Sequence, residues 1–248
     1  MVTFVDILGF RELVASDKTG EKVLAVFRNL RMYGTEDLGG IGRSRNAKYL
    51  HFSDSVVRAT PLVHGDGWHS DRETVLHELE RLTYAQGELA ATGVLLRGGI
   101  AAGLAHADAT SVFGPAFIDA YTVESQLALF PRIVLHPDLV TEFGSDGARG
   151  RAVYADDGLA LTRVGSDGLH FLDYLGNFPR EVHTDASPDR EEVAMSYMEP
   201  RKASIEQELV RRHLLDPVRT KYVWLGRYHN EVVVELLRTV VPSLMIGC

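Results

Sequence analysis

Two acidic residues sit where the neighbouring sequence gives no structural reason for an acid. Asp6 closes the apolar, β-rich run at 1–5 and is followed by Ile7, Leu8, Gly9 and Phe10. Asp54 lies in the turn-forming triplet Ser53-Asp54-Ser55, between two short β-like runs at 47–52 and 56–59. With that hairpin packed beside the first strand, both carboxylates project at one edge of a sheet. The backbone amides of Leu8, Gly9, Phe10 and Arg11 then lie close by. Paired carboxylates hold hard divalent cations through oxygen, and Mg²⁺ commonly keeps a substrate's phosphates as its remaining ligands. Free amides at a Gly-containing strand-to-helix turn add an anion site. Together these groups describe phosphoryl or nucleotidyl transfer assisted by two metal ions. The competing reading is structural, with Asp6 as a helix cap and Asp54 as an ordinary turn residue.

Other side chains enter beside them. Arg97 interrupts the apolar run at 94–102, and a buried cation needs a partner. It forms a structural ion pair or contacts a phosphate or transition state, in its own or a partner subunit. Tyr49 and Leu50 line the approach to Asp54, and one of them packs the core. Ser111 suits a loop cap. Tyr121 and Glu124 share a helix face, at a dimer interface or on a solvated surface. Tyr222, Trp224 and Tyr228 read as helix packing. The ten histidines show no metal spacing, His64 and His69 included, and receive no role.

The elements that position these residues alternate along the chain. A buried strand at 1–6 leads into a helix over 11–30, interrupted near Gly20. A Gly-rich loop at 34–45 precedes the hairpin. Ser70 and Glu73 form a capping box for a helix ending near Gly93. A strand follows at 94–102, then a helix opened by Phe113-Gly114-Pro115 and running to about residue 129. A strand at 131–135 leads to a short helix from 136–138, Gly- and Asp-rich loops at 144–168, and a last strand at 169–175. Past the polar stretch 187–189, Ser204 and Gln207 cap a helical segment that breaks at Pro217 and resumes. The expected architecture is an α/β sandwich, residues 1–200, with a helical C-terminal extension at 201–248.

Composition narrows the function classes. The chain has 248 residues, 45% hydrophobic and 24% charged, with 26 basic against 34 acidic side chains and a net charge of −8. That balance disfavours non-specific binding to nucleic acid or anionic lipid. The lone cysteine, Cys248, closes no intrachain disulfide. No run has the length of a membrane span, and the N-terminus lacks a signal-peptide pattern, so a cytoplasmic protein is expected.

Four blocks resemble class III nucleotidyl cyclases in family order: Phe4 to Phe10, Phe52-Ser53-Asp54-Ser55, Leu96-Arg97-Gly98-Gly99-Ile100, and Phe113-Gly114-Pro115-Ala116 through Glu124-Ser125. Where adenylate and guanylate cyclases carry a transition-state Asn and Arg, this chain has Ile118 and Thr122. Their base-reading Lys and Asp positions are Leu50 and Ser111 here, so the resemblance implies that Tyr49 or Leu50 reads the base and that Ser111 hydrogen-bonds a pyrimidine edge. The pattern, with Ala120-Tyr121…Glu124 and the C-terminal Lys221-Tyr222…Trp224-Leu225…Tyr228-His229-Asn230, is most similar to the bacterial pyrimidine cyclases of Pycsar antiphage systems. The resemblance implies a mostly antiparallel sheet flanked by helices and a head-to-tail homodimer with sites at the interface. It implies conversion of UTP to cyclic UMP, a second messenger in antiphage defence. It also implies two Mg²⁺ or Mn²⁺ ions on Asp6, Asp54 and the Ile7 carbonyl, with Arg97 catalytic. Cytidylate, adenylate or guanylate cyclisation and a catalytically silent nucleotide sensor stand as alternatives.

Overall fold

The computed structural model describes residues 1–35, 47–62, 71–144, 161–177, 190–213 and 216–247. Ser70 of the capping box, the glycine-rich stretch 36–45, His64, His69, the loops at 145–160, residues 187–189 and Cys248 lie outside the described residues.

The chain opens with β1 (Val2–Leu8), α1 (Phe10–Ser16), α2 (Glu21–Thr35), the hairpin β2 (Lys48–Phe52) and β3 (Ser55–Ala59), α3 (Asp71–Ala91) and β4 (Leu95–Ala101). A two-stranded ribbon, β5 (His106–Ala107) and β6 (Val112–Phe113), precedes α4 (Pro115–Thr122), which continues as a π-helical turn at Val123–Leu127. Then come β7 (Ile133–Leu135), α5 (Pro137–Gly144), β8 (Thr162–Val164), β9 (His170–Leu172), α6 (Arg190–Arg211) and α7 (Pro217–Leu237). The seven-stranded sheet has the order β2-β3-β1-β4-β7-β9-β8, and only the β4–β7 pairing is parallel. This is the mixed α/β architecture with a mostly antiparallel, helix-flanked sheet, and its first half is a split β-α-β arrangement.

Period-two alternation decides what each sheet face carries. Val5, Ile7 and Val56 face α2 and α3, packing with Val26, Leu30, Val75, Leu79 and Leu82. Arg58 on that face makes a buried two-pronged pair with Glu78 of α3, at 2.6 and 2.7 Å. Val2, Phe4 and Val57 face the other way, against Ala116 and Ala120 of α4. At the far end, α6 and α7 pack on β7 and β9 through Tyr197, Met198, Leu225, Tyr228 and Val232.

The expected helix breaks are present, and two element boundaries shift. The helix break near Gly20 is present because Asp17 accepts from the Gly20 and Val23 amides, each at 3.0 Å. The last strand stops at Leu172 instead of 175. Asp173 accepts hydrogen bonds from the backbone N–H groups of Gly176 and Asn177, through its side chain and carbonyl respectively, turning 174–177 into a helical turn. The C-terminal helix begins at Arg190 rather than near Ser204, and Pro200 lies inside it, so the boundary expected at 200 falls mid-helix. α7 starts at Pro217, with Asp216 as its N-cap accepting from the Val218 amide at 2.8 Å.

A charged clasp ties this C-terminal pair to α1. Glu12 accepts from Arg211 and Arg212, each at 3.1 Å. Hydrogen bonding from Arg212 foremost, then Arg211, holds the Glu12 carboxyl below the usual carboxylate range. A depressed folded-state value stabilises at neutral pH, and the gain is lost as pH falls through that value. Glu12 is 57% exposed, so screening leaves about 0.5 kcal/mol. Glu12→Gln is expected to melt about 1–2 °C lower at pH 7 and to converge with wild type in acid, as thermal scans across pH would show.

Candidate functional site

β1 ends at the site. Asp6 pairs with Ser55 of β3 on one side and Arg97 of β4 on the other. One residue on, the Ile7 amide donates to the Asp54 carbonyl at 2.9 Å. Ser53 and Asp54 are the two loop residues of the β2–β3 hairpin, with Ser53 in the left-handed region at φ 55°. The hairpin tip is thereby fixed beside the end of β1, and the Asp6 and Asp54 carboxylates repel each other across that corner. No family model and no curated protein matches this chain.

Arg97 stands on the same sheet face and binds two acids within its own chain. Its Nε lies 3.0 Å from Asp6 Oδ2 and 2.8 Å from Glu124 Oε1. Glu124 is 3% exposed. It is therefore on no solvated surface, and it lies in the π-helical turn that prolongs α4, a feature common at functional sites. Burial raises the pKa of both Asp6 and Glu124, opposed chiefly by Arg97. Lys221 of α7 also acts electrostatically on Asp6, Glu124 and Arg97. Counting Asp6, Asp54 and Glu124 against Arg97 and Lys221, the cluster carries one net negative charge.

Glycine makes this convergence possible. A Cβ on Gly99 would stand 2.1 Å from the Ala120 carbonyl oxygen and 2.8 Å from the Glu124 amide nitrogen. Only glycine lets the α4–π segment close onto β4 and bring Glu124 to Arg97. Gly9, at φ 73°, caps α1 and turns the chain out of β1, with Leu8, Phe10 and Arg11 flanking it. The spacing that betrays Glu124 is in the sequence: Ala116, Ala120 and Glu124 recur every four residues, and both alanines are fully buried.

The expected base-reading set is divided. Leu50 pairs with Val57 and so shares the Asp6 face, whereas Tyr49 pairs with Arg58 and packs against the α2–α3 core. Strand alternation therefore turns Tyr49 toward the core and away from the Asp6 face, so of the two it is Tyr49 that packs the core. Ser111 is not brought to the acids either. It lies in the β5–β6 turn, where its amide donates to Asp108 Oδ1 at 2.8 Å. That ribbon follows β4 at the end paired with Val2, about 13 Å along the strand from Asp6. The Tyr49 hydroxyl is buried and has no hydrogen-bond partner among the described residues. Tyr49→Phe is therefore expected to keep or raise stability by up to about 1 kcal/mol, read by denaturant midpoint.

Among the described residues no group of three or more His, Cys, Asp or Glu side chains could hold a metal ion by itself. The chemistry of the donor set admits a hard cation that takes only two protein carboxylates. Asp54 makes no side-chain ion pair among the described residues, and only Oδ2 of Asp6 is taken by Arg97. No helix among the described residues is long and apolar enough to cross a membrane.

Proposed function

We propose that this chain is a nucleotidyl cyclase that converts a pyrimidine nucleoside triphosphate, UTP first, to its 3′,5′-cyclic monophosphate and pyrophosphate. The ribose 3′-oxygen bonds to the α-phosphorus, the bond from that phosphorus to the α,β-bridging oxygen breaks, and pyrophosphate leaves. The hydroxyl proton passes to solvent. The observation that carries this reading is the Asp6–Asp54 corner, pinned by the Ile7 amide on the Asp54 carbonyl. Two oxygen-rich side chains of this kind fit Mg²⁺ or Mn²⁺, which fill their remaining positions with water and phosphate oxygens. Asp6, Asp54 and the Ile7 carbonyl would hold two such ions. When bound, these supply acidification of the 3′-hydroxyl and charge neutralisation on the triphosphate.

The chain's own groups do the remaining work. Arg97, oriented by Asp6 and Glu124, presents positive charge to the reacting phosphate in its own protomer. The backbone amides from Leu8 to Arg11 line the Gly9 turn as phosphate contacts, and Leu50 borders the base. Phe52 and Tyr121, both at least half exposed, gather with Phe117 around the Phe4 ring on this same face. Such an apolar surface beside the acids supports a two-fold homodimer with two equivalent sites. A second-messenger role in antiphage defence follows from the resemblance.

Incubating purified protein with Mn²⁺ and all four ribonucleoside triphosphates, with mass spectrometry of the products, tests the reading. Cyclic UMP with stoichiometric pyrophosphate is expected. Cyclic CMP, AMP or GMP as the main product would transfer the activity to that base. Nucleotide binding without any cyclic product would favour a silent sensor, to which Ile118 and Thr122 at the Asn and Arg positions already point.

A further inference from the structure

Lys221 belongs to the first turns of the C-terminal helix α7, yet the charges acting on it are those of the β1–β4 pair and the π-helical turn: Arg97, Asp6 and Glu124. It is half-buried. Among the described residues its ammonium forms no ion pair and donates no hydrogen bond. Four other cations at this end are engaged. Arg97 holds Asp6 and Glu124, Arg211 and Arg212 hold Glu12 and Glu208, and Arg219 donates to the Leu209 carbonyl.

Its position is imposed from two sides. Leu8, the last residue of β1, packs in the same apolar cluster as Tyr222, Val223 and Leu225 of α7. Glu12, three residues past Gly9, is clasped by the arginines that end α6. The helix pair is thereby fastened to both ends of the Gly9 turn, which keeps the Lys221 charge within electrostatic reach of Asp6, Glu124 and Arg97. Were Lys221 only the counter-charge of Glu124 or Asp6, it would bond one of them. Arg97 already forms an ion pair with each of them, and its like charge disfavours a second cation there. A partly desolvated ammonium left unbonded is a cost that an anionic ligand removes. A compact point charge on a flexible stem suits a polyphosphate.

We propose that Lys221 is a triphosphate-binding residue of this site, gripping the β- and γ-phosphates from the protomer that supplies Asp6, so that the C-terminal helices form part of the active site. This rests on the cyclase reading and names a residue for it. The grip acts on bound nucleotide and departing pyrophosphate alike, so its loss shows mainly in KM.

The test compares wild type with Lys221→Met, which keeps the apolar stem, and Lys221→Arg, which keeps the charge. With Mn²⁺ present, Lys221→Met is expected to raise KM for the triphosphate about tenfold or more and to weaken inhibition by pyrophosphate by a similar factor, with kcat changed less than about threefold. Lys221→Arg should recover most of both. Calorimetric titration with inorganic tripolyphosphate and Mn²⁺ serves as a second arm that needs no turnover. If wild type forms no cyclic product yet binds tripolyphosphate and Lys221→Met does not, the cyclase reading fails and the anion site stands. Equal binding by the two proteins, unchanged pyrophosphate inhibition, or no binding by wild type would overturn the proposal.

Discussion

Asp54→Asn is expected to abolish cyclic nucleotide formation while leaving the melting temperature within about 2 °C of wild type. Both halves follow from one arrangement. The structural duty of residue 54 is done by its backbone, whose carbonyl accepts from the Ile7 amide, and Asn fits a hairpin turn as readily as Asp. Its carboxylate, by contrast, forms no ion pair or hydrogen bond among the described residues. Little in the folded chain depends on it, so a large activity loss would assign it to ligand chemistry. Changing residues that merely orient metal ligands costs about 10–100-fold, and removing a ligand itself should exceed that. Activity above about a tenth of wild type would remove Asp54 from the metal site.

Asp6→Asn is the informative companion, because Asp6 carries a structural load that Asp54 does not. It accepts from Arg97 in a partly buried setting that already disfavours its charge. Asn relieves that burden and weakens the Arg97 contact, two effects of opposite sign on stability. Turnover should vanish in both variants. Only Asp6→Asn should alter how Arg97 is held, as resonances of its guanidinium N–H would report.

The corner itself was legible from sequence because local signals agree there. A β-rich run, a Gly-bearing turn and a two-residue hairpin each constrain their own few residues, and strand pairing does the rest. What stayed hidden depends on contacts between distant segments. Tyr49 and Leu50 are adjacent, and only the register Tyr49↔Arg58 and Leu50↔Val57 shows which one faces the acids. The resemblance set Ser111 at a base-reading position, but β4 runs antiparallel to β1 and carries the following ribbon to the opposite end of the sheet from the acids. Glu124 lies on the buried stripe that Ala116 and Ala120 mark at four-residue spacing, but its pairing with Arg97 joins two distant segments and is not written in that spacing. The stretch 190–203 is long, polar and contains Pro200. Its helicity is sustained by packing of Tyr197 and Met198 into the C-terminal core and by Arg201 binding the Tyr197 and Gly87 carbonyls.

Gly99→Ala should be the most damaging single methyl addition in the described fold. The new Cβ would meet the Ala120 carbonyl at 2.1 Å, Val123 Cβ at 2.7 Å and the Glu124 amide at 2.8 Å. None of these atoms lies at the end of a flexible side chain, so β4 and the α4–π segment must separate. Overpacking of this kind reaches about 3 kcal/mol, a fall of about 6–12 °C in melting temperature for a chain of this size. Gly9→Ala is the control: its Cβ meets nothing within 4 Å, leaving only the strain of a left-handed φ of 73°, about 1–2 kcal/mol. The two variants therefore separate steric from conformational need for glycine. Separation at Gly99 also draws Glu124 from Arg97, so any folded fraction of Gly99→Ala should turn over more slowly than wild type. A Gly99→Ala protein no less stable than Gly9→Ala would show that the α4–π segment does not seat on β4, and with it would go the burial of Glu124.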